Sequence, residues 1–184
     1  MSSDAAVVVG ASDPRIDIAQ TVYEFAYGID QRDWGRYRSI FVPTPTELTF
    51  DYSSYHGRPP SRMNADAWLV AVTPLFQGLD ATQHTMSNPI AELDESGRRA
   101  RCRVYMQAAH FLWRDDLVDA TGSDDPEFTI GGFYENRLVA DPAGPHGWLL
   151  ESVALTVWWR RGNEAIMKLA RRRTTNDDAN TKDR

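Results

Sequence analysis

The chain has 184 residues, of which 42% are hydrophobic and 25% charged, as expected for one globular domain with its own core. Its formal net charge of −6 argues against a nucleic-acid-binding surface. The single cysteine, Cys102, excludes an internal disulfide and a thiolate metal cluster. No signal peptide or membrane span is recognisable, so we expect a soluble cytoplasmic protein with no nucleic-acid or membrane partner.

The first half of the sequence is predicted to be mainly helical. Residues 1–12 are expected to form a flexible arm. Asp13 and Pro14 are a typical helix N-cap and first turn, and apolar residues follow at helical spacing as far as Ile29. Further signals predict a helix after Asp33, a strand over 47–52, a loop over 53–63 and a helix after Asn64.

After Gly78 the sequence changes to long strand-like segments joined by turns. The four predicted strands are 81–93, 100–113, 127–140 and 148–160. A short basic helix is predicted from Asn163 to Arg172, and the polar tail 173–184 is expected to be disordered. Helices followed by antiparallel strands predict an α+β fold, with one domain over 13–172. A curved sheet wrapped around the first helix would leave an internal pocket.

A few polar residues share strand faces that are otherwise apolar. The even-numbered face of segment 100–113 is apolar and carries His110, and the even face of 127–140 carries Tyr134 and Asn136. These two can offer donors to a ligand oxygen. His84, in "ATQHTMSN", also lies in a predicted strand. From the pattern alone, each histidine is either a core side chain with satisfied hydrogen bonds or part of a catalytic site.

Asp30 stands at the end of the first helix, where the helix dipole disfavours a carboxylate. Its position indicates a partner, and a histidine is the obvious candidate. Asp33, the rival, is better explained as a helix cap. An Asp–His pair suits general base catalysis, because the carboxylate orients the imidazole and stabilises its protonated form. His56, His84 and His110 lack the HxH or HxxxH spacing of metal ligands, so no metal site is predicted.

Five short stretches, in the same order, resemble the SnoaL-like branch of the NTF2-like superfamily and, within it, scytalone dehydratase: "IDQRDWGRYRSI", "FDYSSY", "TQH", "AAHF" and "YEN". The resemblance covers roughly residues 15–160. It implies an α+β cone with an internal pocket. The implied catalytic residues are Asp30, His84 and His110, and the implied substrate-binding residues are Tyr52 and Asn136, to which the strand pattern adds Tyr134.

The activity implied by this resemblance is a dehydratase-type elimination without a cofactor, on a small cyclic or polyketide-like substrate of secondary metabolism. His84 would be the base, and His110 would be the acid or would position the leaving group. Ile29 replaces a ketone-binding tyrosine of the family, which leaves an isomerase or cyclase as an alternative. A non-catalytic module, like the β-subunit of a ring-hydroxylating dioxygenase, is a further alternative. A homo-oligomer, trimer or dimer, is also implied.

Overall fold

The computed structural model describes residues 13–181, with side chains described through Thr174. The predicted arm, 1–12, and the last three residues lie outside this range. Within it the helices are α1 (Pro14–Asp30), α2 (Trp34–Ser39), α3 (Ser53–His56), α4 (Ala65–Gly78), α5 (Leu117–Thr121) and α6 (Ala165–Thr181). The strands are β1 (Glu47–Asp51), β2 (Ser61–Asn64), β3 (Ala81–Leu93), β4 (Arg99–Phe111), β5 (Glu127–Ala140) and β6 (Trp148–Gly162).

The six strands form one sheet in the order β2-β1-β6-β5-β4-β3. All neighbours pair antiparallel except β1 and β6, which are parallel. Helix α1 packs against the inner face of this sheet and buries its apolar stripe, which includes Ile18, Val22, Phe25 and Ile29. The predicted α+β class is confirmed.

Local capping explains where the two longest N-terminal helices begin. The Asp13 side chain accepts a hydrogen bond from the backbone of Arg15 at 2.9 Å, and Pro14 occupies the first turn of α1. The Asn64 side chain accepts one from the backbone of Ala67 at 2.9 Å and starts α4. Both starts were predicted from the sequence.

Burial alternates most regularly in β4, as its sequence predicts. In β4 the even-numbered residues are buried, His110 among them. The register between β5 and β6 shifts at Gly131 and Gly132, where Trp158 of β6 is the extra residue. A second shift, at Arg137 and Leu138, leaves Glu151 of β6 as the extra residue. Tyr134 and Asn136 remain on the inner face of β5.

Three segments differ from their sequence-based prediction. The predicted loop 53–63 contains α3 and the start of β2, and the connection between the second and third long strands, taken only as a turn, contains α5. The last helix does not end at Arg172 but continues to Thr181. The expected disorder of the tail 173–184 stays a prediction. Arg173 ion-pairs with Asp80 at 2.7 Å, a long-range contact that the local sequence does not reveal. Within residues 13–181, none of the helices is both long and apolar enough to cross a membrane.

Candidate active site

The concave side of the sheet, together with α1, α4 and α6, encloses a cavity of about 640 Å³. This volume lies within the range of protein sites that hold small organic molecules. Its inner wall is mostly aromatic and aliphatic, with Phe50, Trp68, Val72, Leu75, Phe76, Ala108, Ile130 and Leu155 among the lining residues. The polar side chains that line the cavity are fewer: three histidines, four tyrosines, Ser61 and three cationic residues.

His84 and Asp30 form a hydrogen-bonded pair at this wall. The Nδ1 atom of His84 lies 2.7 Å from Oδ1 of Asp30. The backbone N–H of His84 donates to Oδ2 at 2.7 Å, and the Thr82 hydroxyl donates to Oδ1 at 2.8 Å. The end of α1 and the start of β3 are thus joined through one carboxylate. The predicted proximity of Asp30 and His84 is present.

The carboxylate of Asp30 is held in its ionised form. Partial burial opposes ionisation, but the hydrogen bonds from His84 and Thr82 outweigh it and lower the pKa of Asp30 below its usual range. The ionised carboxylate of Asp30 can only accept a hydrogen bond, so the Nδ1 atom of His84 that faces it carries the hydrogen. That tautomer leaves Nε2 of His84 with its lone pair, as a base requires.

His110 lies beside His84, with the two ring centroids 5.7 Å apart. Its Nδ1 is 3.0 Å from the backbone carbonyl of Phe128, which can only accept, so Nδ1 carries the hydrogen. Burial lowers the pKa of His110 to about 4, with a further contribution from His84. His110 is therefore neutral at pH 7, and its Nε2 is a hydrogen-bond acceptor. The expectation that His110 acts as the acid does not fit this neutral state.

Both imidazoles line the cavity, and no described residue hydrogen-bonds to either Nε2. Phe76 packs near both rings, at 5.9 Å from His84 and 6.3 Å from His110 between centroids. The apolar contact limits the orientations of the two rings. The site thus presents two nitrogen lone pairs, held by different elements, to whatever fills the cavity.

Four tyrosines line the cavity, and three of them, Tyr37, Tyr52 and Tyr134, are called the tyrosine cluster below. Burial raises the pKa of all three phenols, to about 12 for Tyr134. They are therefore neutral hydroxyls, able to donate hydrogen bonds at pH 7. The Trp68 indole N–H donates to the Tyr37 hydroxyl at 2.9 Å, which fixes that oxygen and leaves its hydrogen available.

Of the other positions considered in the sequence, Ile29 lies at the cavity and Asn136 does not. Ile29 lines the cavity, while Tyr27 is half exposed and does not line it. Asn136 is buried on the inner face of β5 but is not among the cavity-lining residues. Its Oδ1 has no hydrogen-bond partner among the described residues. The structure therefore does not bring Asn136 to the other predicted site residues.

Several residues of the site were not predicted. Thr82 shares the face of His84 on β3, two residues earlier, and this spacing was the available signal. In the sequence, nothing distinguishes Tyr37 from the other residues of a short helix. Its contact with Trp68 forms only when α2 packs against α4. The cavity mouth is lined by Arg58, Lys168 and Arg171, whose meeting depends on where α6 docks.

Metal ligands do not cluster in the part of the chain that the structure describes, where no three His, Cys, Asp or Glu side chains come together as a metal site requires. His56 is exposed on α3, and its Nδ1 accepts a hydrogen bond from the backbone of Arg58 at 3.1 Å. It is thus engaged in local turn structure.

Comparison with models of protein families identifies the family of the chain. The model of the SnoaL-like domain matches residues 11–154, which include both histidines and Asp30. The chain belongs to the SnoaL-like domain family. The resemblance expected from the five short stretches, and the α+β cone that it implied, are therefore confirmed. No protein with a curated description matches the sequence.

Solved structures share the SnoaL-like fold over most of their length. The Kfla4162 protein from Kribbella flavida is 25% identical, with 85% of this chain and 96% of that one covered and a TM-score of 0.69. A protein from Novosphingobium aromaticivorans DSM 12444, provisionally named a scytalone dehydratase, is 16% identical, with 80% and 86% covered and a TM-score of 0.63. The hexachlorocyclohexane dehydrochlorinase LinA-type3 from Novosphingobium barchaimii LL02 is 14% identical, with 82% and 90% covered and a TM-score of 0.60.

Proposed function

We propose that this SnoaL-like protein is a cofactor-independent lyase that removes water from a small, mostly apolar cyclic hydroxyketone. The observation that carries the proposal is the 2.7 Å contact between Asp30 and Nδ1 of His84 at the wall of an apolar cavity. A module that serves only for packing has no need of a buried carboxylate–imidazole pair. Two fold relatives are named for eliminations, a scytalone dehydratase and a dehydrochlorinase, which supports the same reaction class.

His84 acts as the base in the proposed reaction. Its Nε2 takes the proton from the carbon next to the substrate carbonyl, and the charge that appears on the imidazole is stabilised by ionised Asp30. The tyrosine cluster donates hydrogen bonds to the carbonyl oxygen as negative charge develops there. This cluster takes the place of the family tyrosine that Ile29 replaces.

The leaving hydroxyl is positioned by His110. Because His110 is neutral, its Nε2 accepts a hydrogen bond from the substrate hydroxyl and directs it towards His84. The carbon–oxygen bond then breaks, and the departing hydroxide takes the proton that His84 has just accepted. The products are an unsaturated ketone and one water molecule, and His84 returns to its neutral state.

Turnover of a panel of cyclic β-hydroxyketones tests the proposal. One probe is 3-hydroxy-1-tetralone, whose loss of water gives fluorescent 1-naphthol. We expect His84→Gln to lower kcat by about 10² to 10⁴-fold, the usual size of acid–base catalysis. His146→Gln is the matched control, since His146 contacts Glu24 at 3.2 Å outside the cavity and its loss should change kcat by less than about twofold. Full turnover by His84→Gln would contradict the proposal.

A second candidate is an isomerase that moves a proton without releasing a leaving group. The neutral state of His110 favours an isomerase, because an isomerisation releases no hydroxide and therefore needs no acid to protonate one. The same panel in deuterated water separates the two candidates. Loss of water identifies a lyase, whereas deuterium uptake at the carbon next to the carbonyl, with no loss of water, identifies an isomerase.

A further inference from the structure

The mouth of the cavity carries a concentration of positive charge that the proposed elimination does not use. Arg58 lies between α3 and β2, and Lys168 and Arg171 lie one turn apart on α6. All three are exposed and line the cavity, and together they are called the cationic rim. None of the described cavity-lining residues is Asp or Glu, although the whole chain has a net charge of −6.

The neighbourhood of the rim does not neutralise this charge fully. No described carboxylate lies within ion-pair distance of the Arg58 or Lys168 side chain. Arg160 also lies near α3, but unlike Arg58 and Lys168 it has an acidic partner, Glu164, at 2.7 Å. Arg171 donates from Nη1 to the backbone carbonyl of Ala71 at 3.0 Å, a contact that joins α6 to α4.

The inner wall and the mouth therefore suit different parts of one molecule. The wall is aromatic and aliphatic, and its polar groups include His84, neutral His110 and neutral phenols. An anionic group held there would lose its hydration without a cationic partner, which is costly. At the mouth the same group would remain partly hydrated and would meet guanidinium and ammonium donors.

We propose that the substrate is an anionic amphiphile: an apolar ring body that enters the cavity and a carboxylate or phosphate that the cationic rim holds at the mouth. The ring body then lies against the aromatic wall, with its reactive carbon towards His84. The proposal rests on the proposed function in taking this cavity as the substrate site. It adds a recognition element on α6 and on the segment between α3 and β2.

Binding of three matched two-ring probes tests this inference without turnover. The probes are 2-naphthylacetate, 2-naphthyl phosphate and the neutral 2-naphthylacetamide, each titrated into the full-length protein by calorimetry. We expect at least one anion to bind about tenfold more tightly than the amide at low salt. The preference should shrink as salt rises from about 0.02 M to about 0.2 M, because the rim is exposed. The tighter anion identifies which group the rim prefers.

Variants locate the effect at the rim. The double variant Arg58→Gln/Lys168→Gln should lose most of the preference for the anion, about five- to tenfold in affinity, while its affinity for 2-naphthylacetamide stays unchanged. Arg62→Gln is the matched control. Arg62 lies nearby on β2 with an exposed side chain and does not line the cavity, so its loss tests the effect of general charge.

Three results would overturn the inference: equal affinity for all probes, no binding of either anion up to about 1 mM, or an equal loss of anion affinity in Arg62→Gln. Failure of the lyase proposal is distinguishable from these. Selective binding of an anion by a protein that releases no water from any hydroxyketone removes only the proposed reaction. Elimination with no preference between anion and amide removes only the anionic amphiphile.

Discussion

Asp30 accepts three hydrogen bonds, and this number explains why a carboxylate is needed at the position. The donors are the ring and the backbone N–H of His84 and the hydroxyl of Thr82. Both carboxylate oxygens are occupied, each as an acceptor. An asparagine has only one acceptor oxygen, so its amide group would face a donor whichever way it turned. The carboxylate therefore fixes both the tautomer of His84 and the position of its ring.

Replacing Asp30 by asparagine is expected to lower kcat by about 10² to 10⁴-fold, with a much smaller change in KM. The variant keeps the size of the side chain but loses the charge and the matched acceptors. Steady-state kinetics on any hydroxyketone that the wild type converts give the measurement. Asp33→Asn is the matched control, because Asp33 caps α2 by accepting from the backbone of Arg36 at 2.9 Å and asparagine caps equally well. Equal losses in both variants would contradict the assignment of Asp30.

At the scale of elements, the docking of α6 on α4 depends on one glycine. A β-carbon at Gly78 would lie 1.9 Å from the backbone oxygen of Ala170, closer than any real contact. Because the obstacle is backbone, it cannot rotate away. Gly78 therefore allows α6 to approach closely enough for Met167, Lys168 and Arg171 to line the cavity.

Gly78→Ala is expected to reduce the free energy of unfolding by about 2 to 3 kcal/mol, because α6 must move away from α4. Urea unfolding measures the loss, and hydrogen exchange of residues 165–174 should rise with it. Gly35→Ala is the control: its β-carbon would meet only the Asp33 carboxylate at 3.6 Å, an ordinary contact, and alanine favours the helix by up to about 1 kcal/mol. Unchanged stability in Gly78→Ala would show that α6 does not need this close approach.

The sequence predicted elements well where the signal is local. The four long strands follow from strand-like segments separated by turn signals, and the starts of α1 and α4 follow from their caps. It did not predict the continuation of α6 past Arg172, because Arg173 meets Asp80 only in the folded chain. It placed Asn136 on the correct face of β5 but not at the cavity, since a period of two gives the face and not the depth inside the cone.

At the scale of the whole molecule, burial of His110 links folding to pH. The imidazole faces His84, with Asp30 behind it and the Phe128 carbonyl on its Nδ1. The pKa of His110 is about 4 in the folded protein and about 6.5 in an unfolded chain. Between these values the unfolded chain binds the proton more strongly. This contribution to stability is complete above pH 6.5 and decreases as the pH falls towards 4.

We expect the wild type to lose about 3 kcal/mol more stability than His110→Gln when the pH is lowered from about 7.5 to about 4. Glutamine can still donate to the Phe128 carbonyl, and it does not titrate. Urea unfolding of both proteins at the two pH values gives the comparison, and the difference between them cancels most groups that they share. Parallel losses in the two proteins would mean that His110 does not titrate as a buried imidazole.

The candidate site was predicted in part because its pieces carry strong local signals. Asp30 is unfavourable at a helix end, and the order of the short stretches suggested its pairing with His84. The cationic rim carried no such signal, since Arg58 and Lys168 are far apart in sequence and meet only when α6 crosses the open end of the cone. That the chain assembles as a trimer or dimer stays a prediction.

The separation between the Asp30–His84 pair and the cationic rim has an evolutionary consequence. The pair joins α1 to β3, whereas the rim stands on α6 and on the segment after α3. If both proposals hold, substitutions at the entrance change which molecules bind without disturbing the pair that takes the proton. New substrates can then be acquired by changes at the rim alone, with the histidine and its carboxylate unchanged.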